Sequence, residues 1–238
     1  MKKLLVLLPF LFSVAFLTAQ NTVVHDANAE VRKVSSFHAI VVSNGIDLVI
    51  TQSNEEAVAV SASTPEIRSR IKTEVVNGEL KIYFDNKGWK NWKNNKELKA
   101  YVSFKNLDGL EANSGADVST DGNINVSSMD MNLSSGAGFN GTVTASHLNI
   151  DQSSGSDMHI KGKVSDLKIT TSSGSDFNGY DLISENCKAD ASSGSGIEIT
   201  VNKELQAQAS SGGGINYKGN GTITSVSNSS GGKVKKQS

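Results

Sequence analysis

The sequence predicts an all-β protein. Its larger part reads as a right-handed parallel β-helix, or β-solenoid, of about 19 residues per coil, preceded by an N-terminal β-strand region packed on it or continuing it. Three observations carry this. A Ser-Gly corner recurs at Gly115, Gly136, Gly155, Gly174, Gly194, Gly212 and Gly231, with separations of 21, 19, 19, 20, 18 and 19 residues, and a near-constant period marks a repeat architecture. Apolar residues keep fixed places relative to those glycines. Three positions after them stand Val118, Phe139, Met158, Phe177, Ile197, Ile215 and Val234; five before them stand Leu110, Met131, Ile150, Ile169, Ala189, Ala207 and Val226. Finally, 22 glycines with 2 prolines and 6% aromatic residues describe a chain of strands and tight turns.

Residues 1–20, MKKLLVLLPFLFSVAFLTAQ, join Lys2 and Lys3 to an apolar run from Leu4 to Leu17 and the small residues Thr18 and Ala19, the parts of a signal peptide. The run is shorter than the ~20 residues a membrane-spanning helix needs, and no later segment approaches it. The chain is therefore expected to be exported and to keep no transmembrane segment after signal removal. Cys187 is the single cysteine, far from any cleavage point, which excludes a cysteine-linked lipid anchor and an internal disulfide. Without Lys2 and Lys3, the 23 basic residues become 21 against 24 acids. That mildly acidic balance points away from nucleic acid.

Residues 21–36 read as a flexible N-terminal segment, and 37–105 as the N-terminal β region. Its strand signals are FHAIVV (37–42), IDLVITQ (46–52), AVAVSA (57–62), LKIYFD (80–85) and LKAYVSF (98–104). Most alternate, as with Ile46, Leu48 and Ile50 on one side and Asp47 and Thr51 on the other, the period of a half-buried strand. Asn44-Gly45 and Asn77-Gly78 fall between strand signals and predict two hairpins. STPEIRSRI (63–71) predicts the one helix, about two turns long, with Ser63 and Glu66 at capping-box spacing and Pro65 in the first turn.

Residues 106–234 form the predicted solenoid and 235–238 a polar tail. Strands of three to five residues separated by corners would close a triangular coil, and coils would stack at ~4.8 Å with each backbone donor answered by the next rung. The asparagine and leucine consensus of leucine-rich repeats is absent, the hexapeptide beat of left-handed helices slips, and the calcium-binding glycine-rich nonapeptide has half this period. Met129, Leu148, Leu167, Cys187 and Leu205, seven positions before the glycines, add a third inward column. Cys187 thus reads as a small buried hydrophobe rather than a nucleophile.

The corner itself reads as structural. Glycine accepts the left-handed conformation a sharp turn needs, and the preceding serines can bond to local backbone or to their counterparts one coil away. Asp117, Asp157 and Asp176, two residues past the glycines, are the candidate cation position, with Asp157 and Asp176 in neighbouring coils. Gly138, Gly196 and Gly214 interrupt that row, so no metal ladder and no cofactor is expected. His25, His38, His147 and His159 lack metal-ligand spacing and read as surface or strand histidines.

The order of FHAIVVSNGIDLVITQ, then VVNGELKIYF, then LKAYVSFKNLDGLEANSGADVS, then the Ser-Gly repeats, over about residues 37–220, resembles the auto-transporter adhesin, head GIN domain family of secreted bacterial proteins. The resemblance implies a β-solenoid of parallel coils, with the N-terminal strands alongside or continuing it, and an envelope or extracellular role in adhesion. It brings no catalytic motif. An auto-transporter also needs a membrane barrel, for which the repeats leave no residues. The expected route is therefore another path to the surface, or a role in the periplasm.

NKGWKNWKNNKELK (86–99) sets Trp89 and Trp92 among Lys87, Lys90, Lys93, Lys96 and Lys99. Aromatics interleaved with cations suit a sugar face, an anionic polymer or a membrane surface, and Trp89, Trp92, Lys90 and Lys93 are the candidate ligand-binding residues. The competing role is a cap on the open end of the coil stack. Separations of 18 to 21 residues leave no long loops from which a catalytic cleft is built, so the solenoid's walls are expected to be plain. The function predicted is a non-enzymatic secreted cell-envelope protein, an adhesin or binding module whose extended polar surface meets a surface glycan or another envelope protein. The alternative is a carbohydrate-active protein binding or cleaving a glycan near Trp89 and Trp92.

Overall fold

The computed structural model describes residues 26–89 and 96–237. The predicted signal peptide, His25, Lys90, Trp92 and Lys93 lie outside the described residues. The N-terminal part runs β1 (Glu30–Arg32), β2 (Ala39–Val42), β3 (Asp47–Gln52), β4 (Ala57–Ser61), α1 (Pro65–Ser69), β5 (Ile71–Val76), β6 (Glu79–Phe84) and β7 (Lys99–Phe104). The repeats follow as β8 (Gly109–Ala112), β9 (Asp117–Leu133), β10 (Gly138–Gln152), β11 (Asp157–Thr171), β12 (Asp176–Ala191), β13 (Gly196–Ala209), β14 (Gly214–Lys218), β15 (Thr222–Asn228) and β16 (Lys233–Lys236).

From β8 onward every pairing is parallel and each rung sits on the next in register: Phe139 lies opposite both Val118 and Met158, and Phe177 opposite both Met158 and Ile197. The protein is a parallel β-solenoid. The expected short straight strands are replaced by runs of 14 to 17 residues from β9 to β13, each with one tight turn and gentler bends elsewhere. Register shifts between His159 and Gly162, and between Gly179 and Ile183, take up the bends. At Gly162, φ is 123° and a Cβ would stand 2.0 Å from the Val143 carbonyl oxygen, so the wall folds here only because the side chain is missing.

The tight turn is the same at every rung. In the corner 153–156, Ser154 and Gly155 have φ of 53° and 69°, and the Ser156 N–H donates to the Ser153 carbonyl at 3.2 Å, the signature of a type I′ turn. Between rungs the corner glycine N–H donates to the middle residue of the next corner: Gly136 to Ser154, Gly155 to Ser173, Gly174 to Ser193, each at 3.1 or 3.2 Å. The serine carbonyl, more than its hydroxyl, joins the corners.

That ladder begins earlier than the repeat predicts. Gly45 donates to the Ser114 carbonyl at 3.1 Å, and Asn44 and Gly45 have φ of 63° and 68°. The predicted Asn44-Gly45 hairpin is therefore a solenoid corner. Its flanking strands diverge to opposite walls: β2 pairs in parallel with β8 and β6, and β3 with β9 and β7. Val42 and Ile46, both 0% exposed, keep the walls apart. The Asn77-Gly78 hairpin is present, with β5 antiparallel to β6 and Val76 opposite Glu79.

The first rung, β2–β3, thus lies between the rung β6–β7 on its outer side and β8–β9 on its inner side. Residues 53–107 leave the stack, add the outer rung and return. Beyond that rung the pairing turns antiparallel, β5 against β6, β4 against β7 and β1 against β4, which closes the amino-terminal end. Helix α1 joins β4 to β5. Its N-cap is Thr64, whose hydroxyl accepts from the Ile67 N–H at 3.2 Å, rather than the predicted Ser63, because Pro65 begins the first turn directly after it.

The core is one continuous stack. Leu48 (1%) and Ile40 (0%) lie in two columns, one running from Ala100 through Phe139 and Met158, the other from Leu80 through Leu110 and Ile150. Each such side chain, removed from water, stabilises the fold by about 1.5–3 kcal/mol. Cys187 is buried between Leu167 and Leu205. The stack ends one rung earlier than expected. Val226 is 45% exposed, and all of β15 is open to solvent, because no further rung covers it among the described residues.

Candidate functional site

The corner row offers little for a ligand. Asp157 and Asp176 are register partners, but Asp157 already binds His159 Nε2 at 2.9 Å and accepts from Asn178 Nδ2 at 3.0 Å. Asp117 Oδ1 folds over the neighbouring rung at Gly138, where a Cβ would come within 2.3 Å of it. Asp47 and Asp117 share the start of this row, and burial, reinforced by Asp117, raises the Asp47 carboxyl above its ordinary value. Among the described residues no group of three His, Cys, Asp or Glu side chains could hold a metal ion.

Trp89 is buried at 8% exposure. Its ring stands edge-on to Phe84, with centroids 5.9 Å apart, and the Arg70 guanidinium lies 4.9 Å over its face. Arg70 donates to the Asp85 and Lys87 carbonyls, both at 3.1 Å, and so fixes the chain where it leaves β6. The segment that holds Trp92, Lys90 and Lys93 joins β6 to β7 in the sequence. Its structure lies outside the described residues.

The walls are not plain. A groove of about 360 Å³ runs across five rungs. One bank is the aligned row Ser128, His147, Asp166, Asn186 and Glu204; the other holds Asn149, Lys168, Lys188 and Gln206. The buried column Leu148, Leu167, Cys187 lies between the banks and keeps them pointing outward, since successive strand residues alternate. Asp166 ties three rungs together: His147 Nδ1 lies 3.2 Å from its Oδ2, and Asn186 Nδ2 donates to its Oδ1 at 2.9 Å. On the other bank Lys168 and Lys188 are direct register partners, so two ammonium groups stand one rung apart. Asn149 Oδ1 is buried without a partner at the edge of the groove.

A second hollow of about 800 Å³, lined by His38, Asp108, Asn125, Thr144, Ser146 and Ser165 among others, shares Ser128 with the first. Together they form one trough along the stack. From Ser128 to Glu204 it covers four rung steps, about 19 Å at the ~4.8 Å spacing of paired strands. Its end nearer the amino terminus carries the His38–Asp108 pair, 2.7 Å from Nδ1 to Oδ1. Neither bank was read from the sequence as a site. Both become visible when residues eight and six positions before the corner glycines are aligned, which gives Ser128, His147, Asp166, Asn186, Glu204 and Asp130, Asn149, Lys168, Lys188, Gln206.

The family model described as "Putative auto-transporter adhesin, head GIN domain" matches residues 36–221. The chain belongs to this family. The fold is also that of solved relatives. A "putative adhesin" from Bacteroides fragilis is 21% identical, with a TM-score of 0.77 over 88% of this chain and 96% of that one. A "putative adhesin" from Parabacteroides merdae is 15% identical, with a TM-score of 0.64 over 88% of this chain and 95% of that one. A "putative lipid binding protein" from Parabacteroides distasonis is 18% identical, with a TM-score of 0.68 over 90% of this chain and 98% of that one. No curated protein matches the chain. At these identities the likeness establishes the solenoid, and relatives of one fold carry two different descriptions. What a head GIN domain protein binds must therefore be argued from its own surface. Among the described residues of this one, no helix is long and apolar enough to cross a membrane.

Proposed function

We propose that this head GIN domain protein is a non-enzymatic, exported cell-envelope binding module that holds an extended surface glycan along the trough. The observation that carries the reading is the trough's repetition. Donors and acceptors recur at every rung from Ser128 to Glu204, so a polymer lying along the stack meets several similar contacts, each contributing about 0.5–1.5 kcal/mol. Lys168 and Lys188 favour a glycan bearing carboxylate or sulfate groups, since charge-assisted bonds are the stronger ones. Asn149, Asn186, Glu204 and Gln206 suit its hydroxyls. Two features weigh against turnover in the trough. Asp166 is already engaged by His147 and Asn186, and burial pushes the Cys187 thiol up to about 12, which keeps it un-ionised at neutral pH.

The test is retention on an array of neutral and acidic glycans, with Lys168→Ala/Lys188→Ala beside the unaltered protein. Preferential retention of acidic glycans, recovered intact, and a loss of about tenfold in the double variant are expected. Retention unaffected by that variant but abolished by Trp92→Ala would move the site to the Trp89–Lys93 segment. Release of new reducing or unsaturated ends would replace binding by glycan cleavage. Fractionation of cells into periplasm, outer membrane and medium tests the envelope location.

A further inference from the structure

The two ends of the solenoid differ. The amino-terminal rung is covered by β5, β4, β1 and α1, with Trp89 packed beneath. At the other end β16 lies over β14, while β15 pairs only with β13 among the described residues. Its seven residues are all exposed. Ile223, 41% exposed, and Val226, 45% exposed, prolong the core columns of Leu205 and Ala207 to which they are aligned. The corner ladder also stops here. Gly212 donates to the Ser230 carbonyl at 3.1 Å, and Gly231 is the next glycine in line, its φ of 81° matching the other corners, with its N–H turned to the side where another rung would lie.

We propose that β15 and the Gly231 corner form a docking edge for an extended, acidic strand of another protein chain, which adds to the stack as a further rung. The repeat itself specifies the complement. A partner carbonyl belongs about 3.1 Å from the Gly231 N–H, as in the seven bonds from Gly45 to Gly212, and apolar side chains belong over Ile223 and Val226. Charge selects the occupant. After Glu204 the sequence holds no acid, whereas Lys233, Lys235 and Lys236 lie on β16, the last strand of this end. Two copies meeting end to end would set these lysines against one another, so a second copy is disfavoured and an acidic strand is favoured. Edge lysines also discourage unselective pairing of exposed strands, which leaves a complementary charge as the condition for entry. This edge adjoins the last rung of the trough, where Glu204 and Gln206 are aligned with Thr222 and Ser225. The glycan reading uses none of Ile223, Val226 and Gly231, so failure of the edge would leave it untouched.

The experiment uses the full chain and two labelled ten-residue probes, one alternating valine with glutamate and one alternating valine with lysine, followed by fluorescence anisotropy. The valine–glutamate probe should bind at least tenfold more tightly than the valine–lysine probe. Val226→Asp, at an exposed position that does not threaten folding, should weaken it about tenfold, and Val76→Asp at the opposite end should not. Polyglutamate, which supplies charge without strand propensity, should bind at least tenfold more weakly than the valine–glutamate probe. Equal binding of the two strand probes, equal binding of polyglutamate, or an unaffected Val226→Asp variant would overturn the proposal. So would concentration-dependent self-association in sedimentation that Val226→Asp abolishes, since the occupant would then be a second copy.

Discussion

His38 and Asp108 meet across 2.7 Å, Nδ1 to Oδ1, although one precedes and the other follows the whole excursion that builds the amino-terminal cap. The Asp108 N–H also donates to the His38 carbonyl at 2.9 Å. The pair therefore marks the point where the chain rejoins the stack it left after β3.

The hydrogen bond that Asp108 accepts from the ring, with the carboxylate's charge, raises the His38 imidazole above its ordinary value of 6.5. Because the folded value is the higher one, the protonated pair stabilises the fold below about pH 6.5, and that contribution is lost as pH rises through the folded value. A proton NMR titration should place the His38 midpoint above 6.5, and Asp108→Asn should bring it down. A His38 midpoint at or below 6.5 in the unaltered protein contradicts the contact.

Phe177→Ala should cost about 3–5 kcal/mol, the penalty for an aromatic removed from a close-packed core, because Phe177 is 1% exposed between Met158 and Ile197. Val226→Ala, in the neighbouring apolar column but at the open end, should cost about 0.5 kcal/mol or less. Urea midpoints of the two variants measure the difference. Equal losses would mean that the last rung is as well covered as the middle ones.

Two glycines of positive φ should separate strain from collision. At Gly155, φ is 69° and a Cβ would meet nothing within 4 Å, so Gly155→Ala should cost about 1–2 kcal/mol, the backbone penalty alone. At Gly162 the added carbon meets the Val143 carbonyl as well, and about 3 kcal/mol or more is expected. Thermal or urea melts of the pair decide, and the order of the two losses is the point at issue.

Cys187 should resist thiol reagents in the folded protein at pH 8 and react fully in denaturant. Burial first, and Asp190 second, push its thiol from 9.0 up to about 12. The un-ionised thiol stabilises the fold below about pH 9, and this is lost as pH rises toward 12. Prompt labelling without denaturant would place Cys187 outside the column.

The repeat was legible because apolar identity is nearly invariant at the inward positions, and no other arrangement explains Met158 and Phe177 recurring beside a Ser-Gly corner. The first rung was not. Asn44-Gly45 has the same positive-φ turn as Ser154-Gly155, yet residues 53–107 break the period behind it, and Asn-Gly between strand signals reads equally as a hairpin. Only pairing partners separate the two, and those lie far away in sequence. Val226 was misplaced because periodicity reports that a column exists and not where its cover ends. The trough went unread for a different reason. Its rows mix Ser, His, Asp, Asn and Glu, so no composition signal marks them, and only the register of neighbouring rungs brings Lys168 beside Lys188.

The first rung being clasped on both sides by later strands has a consequence for how the molecule must assemble. Neither flank of β2–β3 can be completed until the chain has travelled out and back, so the stretch through Phe104 must organise as a unit. Every coil after it can then zip onto a finished template, one at a time and in one direction. Lengthening or shortening such a rod by whole windings would alter its reach while leaving its starting block untouched.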